Sequence, residues 1–179
     1  RASCGVENFR PPDHPIKDYK IVANLPYYIT SPVIRMFLES VNPPKQMVLM
    51  IQKEVAQRIC AKPPKMSLLA VSVQFYSEPK IISYVSKKSF WPRPKVDSAI
   101  IKITTIRGCP PLREGAAPYS LTPYFFKIVK AGFSAPRKQL INNLSKKLKI
   151  EKEKIKKALL DCELNLQARP GDLSVEDWM

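Results

Sequence analysis

Five consecutive residues, Asn24-Leu25-Pro26-Tyr27-Tyr28, bring together a side-chain amide, a proline and two phenol rings. They follow a short apolar run, Lys20 to Leu25, that reads as a buried strand, and open α/β sheets bind ligands at the carboxyl ends of their strands. These residue types suit one chemical problem. The exocyclic amine of adenine is a poor nucleophile because its lone pair is delocalised into the ring. An Asn oxygen and a backbone carbonyl, accepting hydrogen bonds from that amine, can turn the lone pair toward an incoming methyl group. Proline fixes the turn and brings no N–H of its own. An aromatic ring stacks on a base, worth about 1–3 kcal/mol by alanine replacement in single-strand binders. Such a site needs no strong base, because positioning supplies much of the rate. The plainer readings are that Asn24 caps a turn and that Tyr27 belongs to the core.

Other chemistries find less support. The single histidine, His14, lies in the proline-rich stretch Pro11-Pro12-Asp13-His14-Pro15 and reads as a solvated loop residue. The four cysteines, Cys4, Cys60, Cys109 and Cys162, form no CxxC pair. They read as reduced thiols, some buried as small apolar residues, and neither a metal site nor a disulfide framework is indicated. No apolar run approaches the roughly 20 residues that span a bilayer. Arg1 to Tyr19 is polar and proline-rich, unlike a signal peptide.

The elements that must position the motif alternate. After the strand at 20–25, Ser31-Pro32 reads as a helix start, with Ser31 as cap and Pro32 in the first turn. Val33, Ile34, Phe37 and Leu38 form its apolar face. Gln46 to Ile51 reads as a strand covered on both faces, and Lys53 to Ala61 as a helix ended by Pro63-Pro64. Met66 to Tyr76 fits strand or helix by periodicity alone. Lys80 to Val85 and Val96 to Ile103 read as strands around the rigid loop Phe90-Trp91-Pro92-Arg93-Pro94-Lys95. Residues 1–19 read as irregular and 107–118 as a linker. Beyond the linker the texture is helical: Thr122 to Phe133, Lys138 to Leu148, Glu151 to Leu160, with Glu153 spaced to meet Lys157, and a short helix from Ser174. Alternation in front and helices behind imply a parallel α/β sheet over 20–106 and a small all-α domain over 119–179.

The 179 residues carry 30 Lys+Arg against 15 Asp+Glu, a net charge of +15. The excess is spread over both parts of the chain, which suits a broad polyanion-binding face better than a membrane-anchoring amphipathic helix. Nucleic acid is the partner this favours. Lys146, Lys147, Lys149, Lys154, Lys156 and Lys157 read as a solvated helix face that adds to phosphate attraction.

Asn24-Leu25-Pro26-Tyr27-Tyr28 resembles the adenine-site motif of class I methyltransferases acting on adenine N6. Its continuation, Ile29-Thr30-Ser31-Pro32, resembles the KsgA-type family, which dimethylates two adjacent adenosines of small-subunit ribosomal RNA. Four further stretches agree in order: Gln52 to Arg58; Leu68 to Tyr76, which tips that segment toward helix; Phe90 to Ala99; and Lys130 to Ser134 with Arg137-Lys138 and Asn142-Asn143-Leu144. The resemblance covers roughly residues 20–179. It implies the C-terminal part of a Rossmann-like, S-adenosylmethionine-dependent methyltransferase sheet plus a small all-α C-terminal domain. It also implies site roles. Asn24 and the Pro26 carbonyl would receive the adenine amine, with Tyr27 stacked on the base and Phe90 on its other side. Asn24 and Leu25 would wall the cofactor. Arg93, Lys95, Arg137 and Lys138 would touch RNA. The partner would be small-subunit ribosomal RNA in a pre-30S particle, met by a monomer in the cytoplasm, with no metal and no membrane.

One departure from the family is expected to matter. None of the five glycines forms the Gly-rich turn that lets the methionine end of the cofactor approach the backbone. The chain reads as a fragment without the cofactor half. By itself it should bind S-adenosylmethionine weakly or not at all; micromolar affinity by calorimetry would contradict that. Two alternatives remain: a related large-subunit adenine methyltransferase, and a non-catalytic RNA-binding or assembly module.

Overall fold

The computed structural model describes residues 18–106 and 122–179. The irregular N-terminal stretch (apart from its last two residues), the linker, His14, Cys4 and Cys109 lie outside the described residues. By internal packing the chain divides into two compact units, 1–60 with 73–107, and 61–72 with 108–179.

The first unit is a four-stranded sheet with helices. Strands β1 (Lys20–Asn24), β2 (Gln46–Gln52), β3 (Ser77–Val85) and β4 (Ser98–Thr105) lie in the order β1-β2-β4-β3. β1 and β2 are parallel, but β4 runs antiparallel to both of its neighbours. The sheet is therefore mixed, not parallel as the alternation implies. The reason is the connection. Helix α1 (Thr30–Leu38) carries the chain back so that β2 can run beside β1 in the same direction. The Ser86–Asp97 loop has no such crossover helix, so β3 and β4 fold against each other as a hairpin.

The core of this unit lies along the two central strands. Met47, Leu49 and Ile51 of β2 and Ile101 and Ile103 of β4 are fully buried, joined by Val33 and Ile34 of α1 and Ile59 of helix α2 (Lys53–Ile59). Burying each large side chain contributes about 1.5–3 kcal/mol. β2 alternates buried and half-buried residues, so one face is covered more completely than the other. β1 is not the buried strand its composition implies: Val22 is 81% exposed, because β1 sits at one end of the strand order. Helix α3 (Leu68–Gln74) confirms the helical reading of that segment. Cys60 and Cys162 are free thiols, half-buried and exposed respectively. Burial pushes the Cys60 thiol above its ordinary pKa, opposed in part by a hydrogen bond from the Ile81 backbone.

Ser31 does not cap α1. The chain enters through a 3-10 turn, Tyr27–Ile29, and the Thr30 N–H donates to the Tyr27 carbonyl, so backbone supplies the entry. Pro32 does sit in the first turn, and Val33, Ile34, Phe37 and Leu38 are all buried.

The second unit contains α4 (Thr122–Gly132), α5 (Leu140–Leu148), α6 (Lys152–Asp161) and α7 (Val175–Trp178). Val129, Leu140, Ile141, Leu144, Ile155, Leu159 and Trp178 are buried. Trp178 stacks on Phe133 with ring centres 5.7 Å apart. α7 is capped by a reciprocal Ser174–Asp177 pair. On α6, Glu153 pairs with Lys156 at 2.7 Å rather than with Lys157 as the spacing suggests; the pair is exposed and adds little.

Candidate functional site

The strand directions gather the expected residues at one rim of the sheet. Asn24 ends β1, Gln52 ends β2, Val85 ends β3, and Ser98 begins the antiparallel β4, paired with both Gln52 and Val85. The segment 24–29 and the loop 86–97 leave from this same rim.

Asn24 is exposed at the tip of β1. Among the described residues no hydrogen bond from the protein occupies its side-chain amide, so the Oδ1 is free to accept. Leu25, next in the chain, is buried, and its N–H donates to the Met50 carbonyl at 3.4 Å, which ties the tip to β2. Pro26 has φ −55° and ψ 132° and opens the 3-10 turn. Its carbonyl accepts from the Ile29 N–H at 3.1 Å. A carbonyl has two lone pairs, so one remains for a ligand.

Tyr27 is half-buried, and its hydroxyl lies 2.8 Å from the Ser98 hydroxyl. Ser98 is fully buried. Tyr27 is thus neither sealed in the core nor loose: its phenol oxygen is anchored at the start of β4. Tyr28 beside it is exposed.

Phe90 is half-buried in the loop, directly after a 3-10 turn at Lys87–Ser89, while Arg93 and Lys95 are exposed. The loop is fastened at its base. The Lys87 N–H donates to Asp97 Oδ1 at 3.0 Å, the Lys53 N–H donates to the Asp97 carbonyl at 3.0 Å, and the Lys88 N–H donates to Ser86 Oγ at 3.3 Å. Beside this base an open depression of about 300 Å³ is lined in part by Gln52, Lys53, Gln57, Lys87 and Asp97. The Lys53 ammonium sits 5.3 Å from the centre of the Tyr84 ring.

Arg137 and Lys138 belong to the second unit. They are exposed in the turn between α4 and α5, not at a helix start; the Lys138 N–H closes the turn on the Ala135 carbonyl and Gln139 caps α5. Buried Asn143 shapes that turn, its amide donating to the Gly132 carbonyl at 2.6 Å and the Ala135 carbonyl at 2.9 Å.

Two supporting residues escape a reading of the sequence alone. Ser98 and Asp97 occur together before an apolar run, a pattern that signals a turn but not the partners 71 and 10 positions away. Thr30 carries a buried hydroxyl without a hydrogen-bond partner among the described residues.

A methyl-donating cofactor fits these residues only along one wall. Asn24 and Leu25 offer an open amide and an apolar backing. The described glycines, Gly132 and Gly171, both lie in the second unit, and no Gly-rich turn follows a described strand.

A family model described as "Ribosomal RNA adenine dimethylase" matches residues 6–179. A protein of Dehalococcoides mccartyi strain CBDB1 named "Ribosomal RNA small subunit methyltransferase A" is 45% identical over 160 residues, covering 89% of this chain and 53% of the relative. A protein of the same name from Bacillus licheniformis is 42% identical over 163 residues, covering 88% of this chain and 54% of the relative. The chain therefore spans about half the length of the curated relatives it matches. Among solved structures, the 23S rRNA methyltransferase ErmE aligns with TM-score 0.69 and 25% identity, over 94% of this chain and 64% of that one. A dimethyladenosine transferase from Plasmodium falciparum aligns with TM-score 0.72 and 23% identity, over 91% and 65%, a likeness of fold.

Proposed function

From a chain that belongs to the ribosomal RNA adenine dimethylase family, we propose that it supplies the adenine-gripping part of an enzyme that dimethylates N6 of two adjacent adenosines in small-subunit ribosomal RNA. S-adenosylmethionine, when bound, supplies an electrophilic methyl group. The residues here do the rest by placement. Asn24 Oδ1 and the spare lone pair of the Pro26 carbonyl accept the two N6 hydrogens and turn the nitrogen lone pair outward. Tyr27, steadied through Ser98, stacks on the base, and Phe90 closes the other side. Asn24 and Leu25 border the cofactor. Exposed Arg93, Lys95, Arg137 and Lys138 hold RNA phosphates. The substrate is the RNA of a pre-30S particle, and the protein acts on it as a monomer in the cytoplasm. Among the described residues no helix is long and apolar enough to cross a membrane.

The observation that carries this reading is the exposed Asn24 amide, without a partner among the described residues, at a strand tip beside an anchored Tyr27. A residue that merely caps a turn would have its amide committed to backbone. In an enzyme carrying this chain, Asn24→Ala should lower methyl transfer to undermethylated small subunits by roughly 100-fold, the scale of a misplaced reacting group. RNA affinity should change little. Retained activity would remove Asn24 from the chemistry, and RNA binding without any methyl transfer by the unsubstituted enzyme would favour a purely RNA-binding module. The likeness to ErmE keeps large-subunit RNA as a second substrate to be assayed, but the 40–45% identity to small-subunit enzymes favours the first.

A further inference from the structure

Trp91 is 96% exposed, the highest value among the exposed large hydrophobic residues. It gains nothing from burial, although an indole is among the side chains that gain most. Single exposed apolar residues are ordinary on protein surfaces, so exposure alone decides nothing. Three further observations give this one a direction.

The first is support. The loop that carries Trp91 is fastened at its base through Asp97, Ser86 and the Lys53 N–H, and the Lys87 ammonium reaches the Lys95 carbonyl at 3.5 Å. Pro92 and Pro94 fix φ within the tip. The ring is therefore held out from a rigid platform. The second is charge. Lys87, Lys88, Arg93 and Lys95 lie within a few positions of Trp91, and the single acid of the loop, Asp97, already accepts from the Lys87 N–H. The third is place. Trp91 precedes by seven positions Ser98, which anchors Tyr27, so it lies within about 25 Å of that anchor even for a fully extended chain.

We propose that Trp91 is a stacking platform for an unpaired base flanking the target adenosine on the same RNA strand, with the surrounding cations on its phosphates. This rests on the adenine-site reading above and adds a second base contact to it. An indole accepts any base face, so the contact selects for single-stranded RNA rather than for sequence. An anionic lipid surface would also meet a tryptophan among cations, but it calls for a basic amphipathic helix with several apolar anchors. This loop offers one projecting ring, its neighbour Phe90 being half-buried.

The chain has two tryptophans, and Trp178 is buried, so fluorescence quenching on titration reports chiefly on Trp91. A ten-nucleotide oligoadenylate should quench the full chain saturably, and Trp91→Phe should abolish that quenching while retaining most of the affinity for labelled oligonucleotide. Trp91→Ala should weaken binding roughly 5- to 150-fold, the range of one base–aromatic stack. Equal affinity in Trp91→Ala, no binding at all, or quenching by phosphatidylglycerol vesicles and not by RNA would each overturn the proposal. Asn24→Ala separates it from the reading beneath it. Saturable quenching by that variant, together with methylation lost when the same substitution is made in an enzyme carrying this chain, upholds both. Lost Trp91 dependence with methylation still hanging on Asn24 sinks only the platform. Methylation that survives Asn24→Ala while Trp91 still governs binding sinks only the adenine grip.

Discussion

Tyr27 is fixed by its oxygen. The hydrogen bond to Ser98 joins a half-buried ring to a fully buried hydroxyl, so removing one partner strands the other. Tyr27→Phe should cost about 1–3 kcal/mol, the penalty of an unpaired buried polar group. Adding Ser98→Ala should recover part of it, because no hydroxyl is then left unsatisfied. Urea unfolding of the two single variants and the double variant gives the coupling, and strict additivity would mean the bond contributes nothing. The same pair shows what a sequence can disclose about a site. Asn24, Pro26 and Tyr27 stand out as candidates in the sequence because they are contiguous and follow a strand. Ser98 does not, because its meaning depends on a neighbour brought to it by tertiary folding. Arg137 and Lys138 are legible as cations, but their setting in a turn depends on buried Asn143, whose two donors are satisfied only by carbonyls of the folded turn.

At the scale of elements, hydrophobic pattern locates the helices and strands to within a few residues, and it resolves poorly what depends on neighbours. Periodicity leaves 66–76 open between strand and helix, since Leu68, Val71 and Phe75 suit both. Strand direction in the β3–β4 pair follows from the connecting loop, not from either strand. Val22 looks like a core residue, but its exposure is set by which strands flank β1. Close packing in the helical unit gives a sharper case. Gly132 ends α4, and a Cβ built there would collide with the Trp178 ring and lie 3.0 Å from Leu140. Alanine is the better helix former by about 1 kcal/mol, so propensity alone predicts that Gly132→Ala stabilises. The collision predicts the reverse, a loss of about 1–3 kcal/mol, because Trp178 is buried and stacked on Phe133 and has little room to retreat. Thermal unfolding decides: a higher midpoint in the variant would show that the ring yields freely.

For the whole molecule, a charge of +15 over 179 residues predicts that, if the chain binds RNA as proposed, much of the affinity comes from displaced counterions. The logarithm of the binding constant should fall linearly with the logarithm of salt concentration. Replacing Arg137 or Lys138 with Ala should shrink that slope by about 0.7–0.9 for each phosphate left without its cation, leaving preference for adenosine intact. Fluorescence anisotropy at several salt concentrations measures it; an unchanged slope would mean that the replaced residue does not touch RNA. The two units share this charge unevenly in kind. The first carries both the proposed adenine-site residues and cations at its rim, whereas the second presents cations on a turn and on helix faces.

The Tyr27–Ser98 bond also sets an order in time. Its partners are separated by 71 positions, and β4, where Ser98 sits, is the last strand of the sheet to be synthesised yet takes an interior place between β2 and β3. A nascent chain growing from its amino end thus displays the Asn-Leu-Pro-Tyr segment long before Ser98 can anchor its tyrosine. The Tyr27 hydroxyl gains its anchor only when β4 has inserted, so on the proposed reading the site is completed late in folding although its motif lies 71 positions ahead of the residue that steadies it.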